Sequence, residues 1–270
     1  MLTTRQKECL RGIGIDIWTE RQAASAANPD NDATARLLTE DDIEDIRRFA
    51  NQAELEPVST TKAPENKLTE VPVEAPTPVV ETLPKVQLES WPSIIDAIEA
   101  CSACELAENC TRKVPGIGNE KADLLIVGEG PGHDEDIRGE PFVGRSGQLL
   151  DRMLASIGFT RDQVYITNIV RCRPPNNRDP KPHEAQQCRD FLEAQIEQLA
   201  PRVILSVGRV SAHNLLDSTL PVGKLIRQMH TLPGTDIPLK VTYHPAYLLR
   251  NPSAKAIAWQ DLKLLYQMLQ

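Results

Sequence analysis

From Trp91 onward, short apolar runs typical of strands alternate with segments of helical periodicity. Strands are predicted at 123–127, 163–167, 203–207 and 239–243, and helices at 146–157, 183–199, 210–215 and 254–269. Strands separated by helices need crossover connections, which favour a mainly parallel sheet covered on both faces. The sequence therefore predicts an α/β fold with three αβα layers for residues 91–270.

The first 90 residues have a different composition. Short helices are predicted over 3–18 and 38–49, and the first would carry the apolar side chains Leu10, Ile13, Ile15 and Trp18. Residues 51–90 contain no aromatic residue and are rich in Pro, Glu, Thr and Val, which cannot build a core. We therefore expect a short helical segment over 1–50, a disordered linker over 51–90 and one folded domain over 91–270.

The net charge of −8 argues against a nucleic-acid partner only at first sight. Residues 1–90 hold 10 basic and 17 acidic residues, which leaves 20 and 21 for the rest of the chain. Almost all of the excess negative charge therefore lies before the predicted domain. Local basic patches on a nearly neutral domain remain able to meet phosphate.

The chain is expected to work in the cytoplasm. Its first residues, MLTTRQKECLRG, contain no apolar stretch typical of a secretory signal, and no run is long and apolar enough to cross a bilayer. Because cytosolic cysteines are kept reduced, six of them suggest metal binding or catalysis before disulfides.

Four cysteines have spacing that suits a metal centre. Cys101 and Cys104 form a C-x2-C pair, and Cys172 and Cys188 flank the start of a predicted helix. Four thiolates fit either zinc or a [4Fe–4S] cluster, and the spacing alone does not separate the two. Cys110 could replace one ligand, and ordinary buried cysteines are the alternative to any metal site.

Polar or turn-forming residues follow each predicted strand, and in parallel sheets ligands bind beyond these carboxyl ends. Glu129 and Gly130 follow the first strand, Asn168 ends the second, and His244 follows the fourth. An Asn amide can read a base edge, although a strand-end turn explains it equally. Phe142, in a glycine-rich loop, is a candidate stacking platform or an ordinary core residue.

A basic loop follows the second strand. It contains Arg171, Arg173, Arg178 and Lys181. A solvated surface is the usual interpretation of such a run, and contact with DNA phosphates is the functional one.

Three motifs together resemble the family 4 uracil-DNA glycosylases over about residues 95–269. They are GEGPGHDEDIRGEPFVGRSG from Gly128, TNIVRCRPPNNRDPKP from Thr167, and TYHPAYLLRNP from Thr242. The resemblance implies the fold of that superfamily and excision of uracil from DNA. It also implies a [4Fe–4S] cluster whose ligands are Cys101, Cys104, Cys172 and Cys188.

The resemblance also implies roles for the strand-end residues. Glu129 and the Gly130 backbone would hold the attacking water, and Phe142 would stack on the extruded uracil. Asn168 would bind the polar edge of the base, and His244 would approach its O2 atom. Glu135 matches an acidic position of the first motif and is expected only to support the site.

Two features depart from that family. His183 stands where the family more often has an acidic residue, which invites comparison with a branch that is trapped on its product through a loop histidine. The basic insertion typical of that branch is missing here. The second departure is the amino-terminal extension, where LRGIGIDIWTER, residues 10–21, resembles the start of the psi subunit of the bacterial clamp loader.

Two functions follow as hypotheses. The first is a monomeric enzyme that flips uracil out of DNA and hydrolyses its N-glycosidic bond, leaving an abasic site. The second is a non-catalytic adaptor that recruits a replication clamp-loader component through residues 10–21. The presence of Glu129, Phe142, Asn168 and His244 together favours the enzyme.

Overall fold

The computed structural model describes residues 88–270. This part of the chain forms a six-stranded sheet in the order β1-β3-β2-β4-β6-β5. The strands are β1 (Ile117–Gly118), β2 (Leu124–Gly128), β3 (Tyr165–Asn168), β4 (Val203–Val207), β5 (Met229–Thr231) and β6 (Pro238–Thr242). The four central strands pair in parallel, whereas β1 and β5 pair antiparallel at the two edges. The prediction of a mainly parallel sheet is confirmed.

Helices connect and flank these strands. They are α1 (Trp91–Ala100), α2 (Glu105–Asn109), α3 (His133–Arg138), α4 (Arg145–Ser156), α5 (Pro182–Leu199), α6 (Arg209–Leu216), α7 (Val222–Leu225), α8 (Pro245–Arg250) and α9 (Lys255–Met268). Local signals set their starts: Ser90 caps α1 by accepting from the Ser93 amide, and Glu184 reaches back to the Lys181 amide ahead of α5.

The alternation of side chains along each strand builds two apolar layers, one on each face of the sheet. On β2, Leu125 and Val127 pack with α5 and α6, while Leu124 and Ile126 pack with α4 and α9. All five residues of β2 and all five of β4 are buried. Burial on both faces explains why these strands have continuous apolar sequences.

The predicted strands and long helices agree with the structure to within two residues at each end. The sequence analysis missed the edge strands β1 and β5 and the short helices α1, α2, α3, α7 and α8. These elements are short or half-exposed, so they lack a long apolar period.

The helices predicted over 3–18 and 38–49, and residues 51–87 of the linker predicted over 51–90, lie outside the described residues. Within residues 88–270, none of the helices combines the length and apolar character required to cross a membrane.

Candidate functional site

The carboxyl ends of the parallel strands open into a cavity of about 450 Å³. Its walls include the five residues singled out at the strand ends and in the glycine-rich loop. They are Glu129, Gly130, Phe142, Asn168 and His244. The cavity lies beyond the carboxyl end of β2. The next strand in the chain, β3, pairs on one side of β2, and the strand after it, β4, pairs on the other side. Ligand sites in such sheets typically lie at this kind of reversal in strand order.

Gly128, at the end of β2, allows two of these side chains to approach each other. A Cβ atom at this position would lie 2.4 Å from Asn168 Oδ1 and 2.6 Å from the Phe142 ring. Any side chain here would push the ring and the amide apart. The close approach of the two groups therefore depends on this glycine.

Asn168 presents a buried polar atom without a partner. The residue is 2 % exposed, yet its Oδ1 atom accepts no hydrogen bond within the described part of the protein. Leaving a buried amide oxygen unpaired costs about 1–3 kcal/mol. Such an orphan acceptor on a cavity wall indicates a ligand that brings a donor.

The loop that carries Phe142 is held in a strained conformation by Glu135. Phe142 has a φ of 54°, an uncommon value for a bulky residue. The buried Glu135 carboxylate accepts hydrogen bonds from the amides of Gly132, Val143 and Gly144 at 3.0–3.1 Å. Glu135 also lines the cavity, so these hydrogen bonds hold the loop at the cavity wall.

His244 caps α8, and this contact settles its tautomer. The Ala246 amide donates to its Nδ1 atom at 3.1 Å, so the proton of the neutral ring lies on Nε2. Burial, and then the charge of Arg250, lowers the pKa of His244 to about 4. The ring lies 5.6 Å from that of Phe142, centroid to centroid. At neutral pH the site therefore contains an uncharged imidazole with one N–H to donate.

Glu129, in this cavity, has a pKa well above its ordinary value. Burial first, and then the charge of Asp179 and a hydrogen bond with it, raises the pKa of Glu129 to about 7. Arg209 opposes this shift and forms an ion pair with Asp179. The sequence analysis missed Asp179 and gave Arg209 no role, although Arg209 directly follows the turn after β4.

The basic loop does not act as one surface. Arg171 is buried and donates to the Asn168 carbonyl oxygen and to Gln195 Oε1, so its predicted contact with DNA phosphate is wrong. Arg178 makes a bidentate ion pair with the buried Glu184, in which its two terminal guanidinium nitrogens lie 2.6 and 2.8 Å from the carboxylate oxygens. Arg173 and Lys181 reach the surface, and Lys181 pairs with an exposed carboxylate. Arg178 also lines the cavity.

The four predicted cysteine ligands lie in one region, with Cys110 beside them. Cys172 and Cys188 are buried, and Cys101, Cys104 and Cys110 are half-buried. Burial raises the pKa of Cys172, and so do a hydrogen bond with Cys110 and the charges of Cys188 and Cys104. Burial also raises the pKa of Cys188, where Cys104 and Cys101 add to the effect. Thiols that raise one another's pKa in this way are close neighbours.

The described part of the chain also contains a tighter group of potential metal ligands. Within residues 88–270, the group of three potential ligands whose atoms lie within 4.8 Å of one another is Glu105, His183 and Glu184, and the cysteines form no such group. Glu184 is already engaged by Arg178, so we assign no metal to that group.

A larger groove, of about 860 Å³, runs between α5 and α6. None of the five strand-end and loop residues lines it. The five candidate residues therefore all lie in the smaller cavity.

The chain is similar to known proteins over much of its length. Residues 115–263 match the uracil DNA glycosylase superfamily. A type-4 uracil-DNA glycosylase of Archaeoglobus fulgidus is 43 % identical over 182 residues, which cover 65 % of this chain and 92 % of that protein. The type-4 enzyme of Saccharolobus solfataricus is 39 % identical, with coverage of 65 % and 85 %. That of Thermotoga maritima is 44 % identical, with coverage of 63 % and 90 %.

Proposed function

The chain belongs to the type-4 branch of the uracil-DNA glycosylase superfamily, and from this premise we propose how its strand-end cavity excises uracil. It is a DNA repair glycosylase, a hydrolase of N-glycosidic bonds. A target base inside a duplex is out of reach, so the nucleotide must first be flipped into the cavity. The adaptor alternative is not favoured, because the candidate catalytic and binding side chains all line one cavity.

The orphan oxygen of Asn168 is the observation that carries this proposal. Uracil presents an N3–H donor beside its O4 acceptor, which complements an amide oxygen and an amide NH₂. Cytosine presents a bare N3 and an amino group at the same edge, so both contacts would be repulsive. The Phe142 ring, held beside Asn168 across Gly128, offers a flat surface on which the base stacks.

His244 acts on the leaving group. When the bond between N1 of uracil and C1′ of the sugar breaks, its electron pair goes to the base and negative charge develops on O2. The Nε2–H of a neutral imidazole donates to that oxygen and stabilises the anion as it forms. The depressed pKa keeps the ring neutral, so the contact needs no prior protonation.

Glu129 acts on the opposite side of the bond. The sugar becomes cationic as uracil leaves, and a carboxylate favours this charge while it accepts a hydrogen bond from the attacking water. The Gly130 backbone borders the same part of the cavity. The water oxygen bonds to C1′, and the water proton passes to Glu129 or to solvent.

We further propose that Cys101, Cys104, Cys172 and Cys188 hold a [4Fe–4S] cluster. The proximity of these thiols, which affect one another's pKa, supports this set, and Cys110 is the alternative ligand. When bound, the cluster supplies covalent cross-links among the α1–α2 turn, the loop before α5 and α5 itself. Hydrolysis requires no electron transfer. Arg173, Arg178 and Lys181, on that loop, are proposed to meet DNA phosphates.

The partner hypothesis concerns residues 10–21, which lie outside the described residues. Binding to a clamp-loader component through this segment stays a prediction, as do the cytoplasmic location and the monomeric state.

An excision assay tests the function. Purified protein is incubated with an oligonucleotide that contains one uracil, and alkali then cleaves abasic sites. We expect cleavage at the uracil and none in matched strands with thymine or cytosine. No cleavage by an iron-loaded protein would contradict the enzyme and favour the adaptor.

A further inference from the structure

Arg171 is a buried cation between the cysteines and the base-reading asparagine. Its side chain is 2 % exposed and donates to the Asn168 carbonyl oxygen and, at 2.7 Å, to Gln195 Oε1. Its backbone amide donates to the Cys188 sulfur. One residue thus touches both the proposed metal centre and the end of β3.

No carboxylate balances this charge. Within residues 88–270 no ion pair joins Arg171 to Asp or Glu. The groups whose charges act on it are Cys188, Tyr165 and Cys172. Its Nε atom is buried and has no hydrogen-bond partner among the described residues. Burying a cation without a counter-charge is very costly, so the folded protein needs an anion at this place.

We propose that Arg171 is the internal counter-charge of the cysteine-bound cluster and, through the Asn168 carbonyl, a positioning residue for uracil recognition. The inference rests on the cluster proposed above. Four thiolates leave an iron–sulfur centre with net negative charge, which is what a buried guanidinium lacks here. Breaking such an outer contact of a metal centre typically lowers metal affinity on the order of 10–100-fold.

Helix α5 makes the link between the two sites rigid. Cys188 and Gln195 stand seven residues apart and so lie on the same helix face. Gln195 is fully buried: its Oε1 accepts from Arg171 and from Thr167, and its Nε2 donates to the Pro115 carbonyl oxygen at 2.8 Å. The guanidinium is therefore fixed from both ends, and Asn168 cannot shift without disturbing it.

Two substitutions separate charge from geometry. Arg171→Lys keeps the positive charge but loses the planar guanidinium that donates to two acceptors, whereas Arg171→Gln loses both the charge and the guanidinium. Arg202→Gln, at an exposed site ahead of β4, is the matched control. Iron per chain, the rate of iron loss to a chelator, the reduction potential of the cluster and uracil excision are measured on each full-length protein.

We expect the Gln variant to lose iron about 10–100 times faster than the parent. A nearby positive charge favours uptake of an electron, so its reduction potential becomes more negative. The Lys variant keeps iron and potential near the parent values but excises uracil more slowly, because Asn168 is no longer held. The control matches the parent in all four measurements.

Equal iron loss and equal potential in Gln variant and parent would overturn the counter-charge. If the Lys and Gln variants lost iron equally fast, the effect would come from the geometry of the guanidinium and not from its charge, which would also overturn the counter-charge. A Gln variant obtained only without iron, beside an iron-loaded Lys variant, would support it. Parental excision by the Lys variant would overturn the link to Asn168. A parent without iron would contradict the cluster itself, which distinguishes that failure from the others.

Discussion

His244 shows how a neighbouring backbone amide sets the chemistry of a side chain. Because Nδ1 is occupied by the Ala246 amide, the cavity receives a donor at Nε2. The proposed hydrogen bond from His244 Nε2 to uracil O2 strengthens only as the leaving base gains charge. It therefore lowers the barrier more than it tightens substrate binding. We expect His244→Ala to slow single-turnover excision on the order of 10²–10³-fold with DNA affinity nearly intact.

The control for this change is His213→Ala, since His213 lies on α6 and contacts the Leu220 carbonyl oxygen outside the cavity. Its excision rate is expected to match the parent. Parental activity of His244→Ala would remove His244 from the mechanism.

The proposed role of Asn168 is to select uracil over cytosine. In Asn168→Asp the NH₂ donor becomes an acceptor, so the contact with uracil O4 turns repulsive while the cytosine amino group gains a partner. A two-point contact with a base edge is worth about 1–3 kcal/mol, so uracil excision falls about 10–100-fold and a trace of cytosine release appears. Release from paired oligonucleotides measures both, with Asn214→Asp on α6 as control. An unaltered uracil rate would contradict this role.

The pH dependence of excision reports the protonation state of Glu129. Its pKa is raised to about 7, so below that pH the side chain is increasingly neutral and cannot favour a cationic sugar. We expect kcat/KM to rise with pH through about 7 and then level off. His244, with a pKa of about 4, stays neutral over this range and adds no change.

Substitution of Asp179 tests the cause of this rising limb of the pH profile of kcat/KM. Asp179→Asn removes a like charge beside Glu129, so the limb moves to lower pH, and Glu129→Gln abolishes it together with most activity. A kcat/KM that does not vary between pH 5.5 and 8.5 would contradict the assignment, both limits being about 1.5 pH units from the pKa of Glu129.

At the scale of elements, the four proposed cysteine ligands lie on three separate segments: the turn between α1 and α2, the loop after β3, and α5. Cys101→Ala and Cys188→Ala are each expected to lose the iron and the visible absorbance of the protein, because each removes one of four ligands. Cys110→Ala is the matched control and keeps its iron. Loss of iron from Cys110→Ala with retention in Cys172→Ala would exchange those two ligands. One zinc and no iron in the parent would reject the cluster.

The sequence predicted those elements whose burial leaves a long signature. β2 and β4 are apolar throughout because helices cover both faces, and α4 and α5 span several turns. β1 has two residues and β5 three, too few for any period to emerge. The candidate site residues came from their positions after strands and from three motifs. Only the observed sheet order shows that these residues meet in one cavity.

The remaining site features depend on packing, which no local pattern records. In sequence, Arg171 resembles its half-buried neighbours Arg173 and Arg178, yet it points fully inward because Gln195, on a helix beyond the loop, accepts its hydrogen bond. The effect of Asp179 on Glu129 joins positions 50 residues apart. Such burial and charge effects follow from tertiary contacts alone.

At the scale of the whole molecule, charge is divided unevenly along the chain. Of the net −8, residues 1–90 account for all but one unit. DNA is a polyanion, and surface charges act on it over about 10 Å at ordinary ionic strength and farther in dilute salt. The acidic extension therefore does not favour DNA binding, and the nearly neutral domain must bind through local basic side chains.

Removal of residues 1–87 is thus expected to leave excision unchanged or slightly faster, with the gain largest at low salt, where repulsion is least screened. Steady-state excision at two salt concentrations measures this. If the apolar side chains Leu10, Ile13, Ile15 and Trp18 serve a partner, the truncated protein keeps the melting temperature of the full chain, and a pull-down with replication proteins succeeds only for the full chain with Trp18 intact. A melting temperature several degrees lower, with no partner present, would instead show that these side chains stabilise the catalytic domain itself. Marked loss of excision after truncation would contradict the electrostatic argument, because it would mean that the extension contributes to DNA binding despite its charge.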